Sequence, residues 1–371
     1  MRHRCGLPAG VLCCLLAAWP AAGAVSNAAV AHTVARRYFS EGLAQVQERN
    51  YHQAIRSFRT ATVYDDRLAE AYLNLGACYE RLDQFAHGRQ YYERALQLDA
   101  DNPHLHYLYG TALARNGALA AAVPQLERAV YLAPGNVDYL YNLGVGYAAL
   151  TQYAMSASCF EQVTGLVSNN NVVWYNLGVA RLRIGQTNAA EQAFQQVELD
   201  APIAAESHYQ LGLLAYGRND ATGALRAAKM ASALNPALWE ADVLCAEAHQ
   251  ALKQYREASV LLERVYLLHA TEELGHKLAA LYKMWGAEAR AKGDYRVALD
   301  RYRQAVRFVP GDAEAHVAVA ECAVAAGDAA GAREALERAR RHARSVAQEE
   351  RIQVMAQALR ALEAEKESAT P

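Results

Sequence analysis

A period of 34 residues governs most of this chain. The phrase YNLGV stands at Tyr141–Val145 and again at Tyr175–Val179, and its Gly belongs to a column: Gly42, Gly76, Gly110, Gly144, Gly178, Gly212, then Ala246. Twelve residues after each comes another small residue: Ala54, Gly88, Ala122, Ser156, Ala190, Ala224 and Ala258. Four further on stands a large apolar one, Phe58, Tyr92, Leu126, Phe160, Phe194 and Leu262, with Ala228 the exception. Three beyond that are Ala61, Ala95, Ala129, Val163, Val197, Ala231 and Val265, and Pro134, Pro202 and Pro236 share a column at the end of the unit. Chance does not hold one phase through seven units.

The physical reading is a helix–turn–helix unit. Apolar residues before the turn recur at helical spacing, as in Tyr72, Leu75, Gly76 and Tyr79. Small residues in the Gly and Ala columns let two antiparallel helices approach closely. Gly117, Gly185 and Asn219 read as turns between the helices, and Pro at the unit's end stops the second helix. One such hairpin cannot bury its own apolar face, so neighbours must stack. Composition agrees with an all-α chain: 22 Tyr against 6 Phe, only 9 Pro and abundant Ala.

These columns resemble the tetratricopeptide repeat (TPR) family in period and in their order of small and large residues. Units start at residues 35, 69, 103, 137, 171, 205 and 239; the phase then slips by six residues through Thr271–Lys277. It resumes with Tyr282, Gly286, Ala298, Tyr302, Ala305 and Pro310 in a unit from 279, and with Ala320, Ala332, Leu336 and Ala339 in one from 313. The resemblance implies an all-α, right-handed superhelical solenoid of about nine helix–turn–helix repeats plus a C-terminal capping helix. The expected boundaries are a signal peptide at 1–24, a linker at 25–34, repeats one to seven at 35–272, an insertion at 273–278, repeats eight and nine at 279–346, and the capping helix and tail at 347–371. The slip reads as a longer loop, a longer second helix, or a joint between sub-arrays of seven and two units. Glu41 and Gln45 stand at expected apolar positions of the first unit, as suits a terminal repeat with one uncovered face. In the last helical stretch the apolar positions are Val354, Met355, Leu359 and Leu362.

Residues 1–24 carry Arg2 and Arg4, an apolar stretch and Ala22-Gly23-Ala24, the pattern of a cleaved secretory signal. An uncleaved anchor, or lipid on Cys13 or Cys14, is the alternative. Cleavage removes two Arg and no acidic residue, taking the formal charge from −2 to −4, with no pull toward nucleic acid. It leaves Cys78, Cys159, Cys245 and Cys322, whose wide spacing has no metal or redox pattern and reads as buried free thiols.

No constellation for catalysis, metal or cofactor stands out. Gly144-x-Gly146 is explained by packing and follows no strand, and His104 and His106 point to different sides of a helix. Only about 25 residues follow the last repeat, so no appended catalytic domain is expected. The basic run Arg338–Arg344, RARRHAR, reads as a solvated helix face or as a contact for an anionic surface or nucleic acid, export weighing against the last.

Binding is what stacked hairpins offer, because the first helix of each lines a concave groove. Tyr107, Tyr141, Tyr175 and Tyr209 stand three residues before the column Gly; Asn74, Asn142 and Asn176 stand two before it. The resemblance implies that both positions face the groove, where Asn can meet a peptide backbone and Tyr offers a flat face with a polar tip. The same letters also suit an average repeat of the family. Arg81, Arg115 and Arg183, five after the Gly, could hold an acidic group or simply be solvated. The expectation is a non-catalytic exported scaffold that binds a protein or peptide, without nucleic acid, periplasmic and associated with envelope proteins if the host is a diderm bacterium. The alternatives are a ligand-binding accessory protein of a transporter and a self-associating architectural protein.

Overall fold

The computed structural model describes residues 27–368, so the expected signal peptide lies outside the described residues. Among those residues there are nineteen α-helices and no strand. The chain forms two compact units, one ending at Leu150 and one beginning at Thr151. The first holds α1 (Asn27–Gln47), α2 (Tyr51–Tyr64), α3 (Ala69–Arg81), α4 (Phe85–Leu98), α5 (Pro103–Arg115), α6 (Leu119–Leu132) and α7 (Val137–Ala149). The second opens with α8 (Tyr153–Leu166), α9 (Asn171–Arg183), α10 (Thr187–Gln195), α11 (Ala204–Gly217), α12 (Ala221–Leu234) and α13 (Trp239–Ala251). It continues through α14 (Tyr255–Leu268), α15 (Glu272–Ala291), α16 (Tyr295–Phe308), α17 (Ala313–Ala325), α18 (Ala329–His342) and α19 (Val346–Ser368). Within each unit, successive helices stack as an all-α repeat solenoid, each helix packing on the one before it.

The columns act as a lock between the two helices of a hairpin. A Cβ added to Gly42 would stand 2.5 Å from the Phe58 ring, one at Gly76 would be 2.7 Å from Tyr92, and one at Gly178 would be 2.6 Å from Phe194. The aromatic ring of the second helix therefore occupies the space where a first-helix side chain would be. In the sixth repeat, where Ala228 replaces the large residue, Leu244 of the next repeat fills the place and comes within 2.9 Å of the same hypothetical atom on Gly212. The exception in the column is thus repaired from a neighbouring helix, α13.

Each turn inside a repeat uses one left-handed residue. Arg49, Asp83, Gly117, Thr151, Gly185, Asn219, Lys253, Gly293 and Gly327 all have φ between 57° and 84°. The next amide closes the helix by donating to the carbonyl five residues back, as Ala118 does to Leu113 (2.9 Å) and Gln254 to His249 (2.8 Å). The column is geometric rather than chemical, since five of its nine residues are not glycine.

Three expectations change. α1 begins at Asn27, so the stretch 25–34 expected as a linker is largely the start of the first helix. The six extra residues are neither a loop, nor a longer second helix, nor a joint. They extend the first helix of the eighth repeat, making α15 20 residues long where α13 and α17 have 13. Thr271 starts it by accepting from the Leu274 amide through its side chain (3.3 Å). In the capping helix α19, Ile352 and Leu359 are buried against α17 and α18 with Met355 beside them, whereas Val354 points outward and is 57% exposed. Glu41 and Gln45 of the first repeat find local partners, Arg37 and the Ser57 hydroxyl (2.8 Å) respectively.

Burial gives one hairpin a pH dependence. His316 on α17 is 3% exposed and donates from Nε2 to the Pro310 carbonyl (2.9 Å). Burial, helped by the charges of Arg338 and His342, pushes its pKa below the ordinary 6.5, against weaker pulls from Pro310 and Asp312. The unfolded chain therefore binds this proton more readily, and the stability from keeping His316 neutral is complete above pH 6.5 and lost as pH falls through the lowered folded value. Tm is expected to drop between pH 7.5 and pH 5, above the range where carboxylates titrate, and to drop less in His316→Gln; equal drops would remove His316 from the account.

Candidate functional site

The first helices of the repeats carry the expected binding residues, and each unit arranges its share differently. In the first unit, Asn74 and Arg81 of α3 line one recess of about 520 Å3 with Val46, Gln47 and Tyr51. Asn74 Nδ2 donates back to the Glu70 carbonyl (2.8 Å), which turns Oδ1 outward as an acceptor. Arg81 is exposed and makes no ion pair among the described residues. Cys78, whose side chain also borders the recess, is buried, and burial pushes its thiol up to about 11, so it is not a nucleophile near neutral pH.

Tyr107 and Asn142 come together in the same unit. Asn142 Nδ2 donates to the Asp138 carbonyl (2.8 Å) and to the Tyr107 hydroxyl (3.4 Å), so both amide hydrogens are engaged. The Tyr107 ring stacks on Tyr139 with centroids 4.7 Å apart, and burial followed by the Asp138 charge raises its hydroxyl pKa. Tyr141 is half-buried on α7. Arg115 already holds an acidic group of this chain: Glu80 lies 3.1 Å from its guanidinium and also accepts from the Tyr92 hydroxyl (3.0 Å).

In the second unit Tyr175 and Asn176 are half-buried on α9. Tyr175 packs on Phe194 of its own hairpin, centroids 5.7 Å apart, and burial, then the charge of Glu206, raises its pKa against a hydrogen bond with Gln210. Arg183 is exposed and makes no ion pair among the described residues. Tyr209 packs beside Ala228, Leu244 and Cys245 and edges a recess of about 240 Å3. The tyrosines therefore divide their surface between interhelix packing and the open face, rather than being reserved for a ligand.

That last recess was not visible in the repeat columns. It lies across α11, α13 and α15, three successive first helices, with Tyr209 and Trp239 beside Glu240 and Glu247. The extension of α15 supplies the remaining wall, through Glu273, Leu274 and Lys277. Lys277 pairs with Glu247, and Glu273 stands 3.8 Å from the same ammonium. Burial alone would lower the Lys277 pKa, but the hydrogen bond and charge of Glu247 more than offset it, so the ammonium is held charged. The only hint in the sequence was the slip in phase.

Profiles of the tetratricopeptide repeat match the chain at residues 39–103, 79–137 and 175–238, and a second such profile matches 289–362. The chain is a tetratricopeptide repeat protein. It therefore belongs to a family of repeat scaffolds for protein interaction, as the resemblance implied. Among solved structures, PilF of Pseudomonas aeruginosa is 22% identical over 59% of this chain and 99% of its own, with a TM-score of 0.48. MamA is 20% identical over 44% of this chain and 90% of its own, TM-score 0.42. YrrB, described as a TPR protein with an unusual peptide-binding site, is 22% identical over 46% of this chain and 89% of its own, TM-score 0.42. No curated protein matches this TPR chain.

Cross-repeat contacts hold the first helices of this TPR protein in register. Arg36 pairs with Glu70 one period away (2.5 Å), Lys283 with Asp312 (2.7 Å), and Arg351 of the capping helix with Glu321 (2.9 Å). The exposed Arg36–Glu70 pair contributes about 0–1 kcal/mol, so it fixes alignment more than stability.

Proposed function

We propose that this TPR protein is a non-catalytic, exported scaffold that holds a protein or peptide segment against the first helices of its repeats, in cell-envelope assembly or secretion. The observation that carries the reading is the recess on α11, α13 and α15. It combines two aromatic side chains with three carboxylates and one ammonium, the carboxylates Glu240, Glu247 and Glu273 outnumbering Lys277. An aromatic wall with excess negative charge suits a segment that inserts a lysine or arginine side chain, through charge and cation–π attraction. Export rests on the pattern of Arg2, Arg4, the apolar stretch and Ala22-Gly23-Ala24.

The test is an array of short peptides that differ in the number and place of lysines and arginines. The wild type is expected to retain basic members, and Glu240→Lys/Glu273→Lys to lose them at least tenfold with Tm unchanged. Retention of basic peptides by that variant would sink the recess as the site. For export, the intact mass of the protein purified from its host is expected to correspond to a chain beginning at Val25; a mass that includes residues 1–24 would overturn cleavage.

A further inference from the structure

A second recess, of about 690 Å3, lies between α16, α17 and α18 at the other end of the second unit's repeats. Its wall of basic side chains comes from two helices: Arg303 and Arg307 of α16 face Arg338 and Arg341 of α18. The floor is apolar, formed in part by Val306 and Val319. Carboxylates answer only half of this charge. Arg303 pairs with Asp328 (3.2 Å) and Arg338 with Glu334 (2.5 Å), while Arg307 and Arg341 make no ion pair among the described residues. Arg338, Arg341 and His342 of the run RARRHAR are exposed, and all three also line this recess.

Arg307, whose guanidinium lies 5.9 Å from the centre of the Phe308 ring, and Arg341 both stand in the last turns of their helices, where the carbonyl ends favour a cation. That accounts for a basic residue at each end. It does not account for two helices lining one recess with theirs, where an anion placed between them would relieve the mutual repulsion of like charges. Guanidinium groups converging from two sides suit a phosphate, whose oxygens accept paired N–H bonds from each fork. The cavity also has room beyond one phosphate group, and its floor suits an uncharged remainder.

We propose that this recess binds a phosphate-bearing small group, a pyrophosphate or phosphomonoester, held by Arg307 and Arg341 with Arg303 and Arg338 completing the positive wall. The site is separate from the peptide recess on α11, α13 and α15, and neither depends on the other. The shared chemistry can come from a soluble phosphate or from the headgroup of a lipid, so the test has two arms on the full chain. Calorimetric titration with inorganic pyrophosphate reads the first; flotation with phosphatidylcholine vesicles containing phosphatidic acid reads the second. Saturable binding is expected in at least one arm, weakened at least tenfold in Arg307→Ala/Arg341→Ala. Arg307→Lys/Arg341→Lys, which keeps the charge and loses the forks, is expected to fall between. Arg81→Ala/Arg183→Ala removes the same charge elsewhere and is expected to bind as the wild type does. Binding in neither arm overturns the proposal, and so does equal weakening by the two alanine pairs, which would reduce the effect to net charge.

Discussion

Gly178→Leu is expected to lower stability by about 1–3 kcal/mol or more, because even the first added carbon would stand 2.6 Å from the Phe194 ring. The ring is 1% exposed and has no open volume to retreat into, so α9 and α10 must move apart. Stacked repeats couple chiefly to their neighbours, so the loss should appear first as reduced amide protection in α9 and α10 and spread outward from there. Gly165→Ala is the matched control. It too is a helical glycine, but nothing lies within 4 Å of its hypothetical Cβ, and the change is expected to be neutral or to gain up to about 1 kcal/mol from backbone entropy. Urea denaturation that ranks the two variants equally would contradict the packing assigned to the column.

Leu274→Ala should be of similar or larger effect, about 2–5 kcal/mol, the usual cost of truncating a fully buried leucine. Leu274 belongs to the extra stretch of α15, yet it is 2% exposed and packs with Leu262, Val265 and Leu278. It also walls the peptide recess, so the same substitution is expected to weaken retention of basic peptides. Glu272→Ala, one residue inside the same helix but solvated, is expected to stay within about 0.5 kcal/mol of wild type. A neutral Leu274→Ala would mean that the extension is an appended turn rather than part of the core.

Much of the fold was legible because packing writes itself in residue size. Gly42 and Phe58, or Gly178 and Phe194, are a notch and the ring that fills it, sixteen residues apart in the sequence. Ala228 broke that code, and the compensating Leu244 could not be assigned to it from spacing alone, since the filling residue comes from the next repeat. The turn column was half visible. Gly117, Gly185 and Asn219 advertise left-handed backbone, whereas Arg49, Asp83 and Lys253 adopt it because hairpin closure outweighs a local cost of about 1 kcal/mol. The extended α15 has a readable start in Thr271 followed by two acidic residues, the composition of a helix N-terminus, but its added residues fall outside the 34-residue period that marks the other helices.

The binding face was less legible, because polar side chains choose among partners that spacing does not reveal. Asn74 and Asn142 turn their amides onto carbonyls four residues back on their own helices. Arg115 reaches Glu80 of the preceding repeat, whereas Arg81 and Arg183 make no ion pair among the described residues. The recess at Tyr209 depends on a register that only the folded helices define.

Strict repetition carries an ambiguity for anything that binds along it. An extended segment shifted by one repeat meets nearly the same side chains, so many alignments share nearly the same free energy. The lengthened α15 removes that ambiguity in the second unit, since among the described residues no other first helix of that unit's repeats has its added turns, and these supply one wall of the recess on α11, α13 and α15. A periodic surface with a single irregular step acts as a ruler with a zero mark: the regular repeats supply length, and the irregular one says where measurement begins.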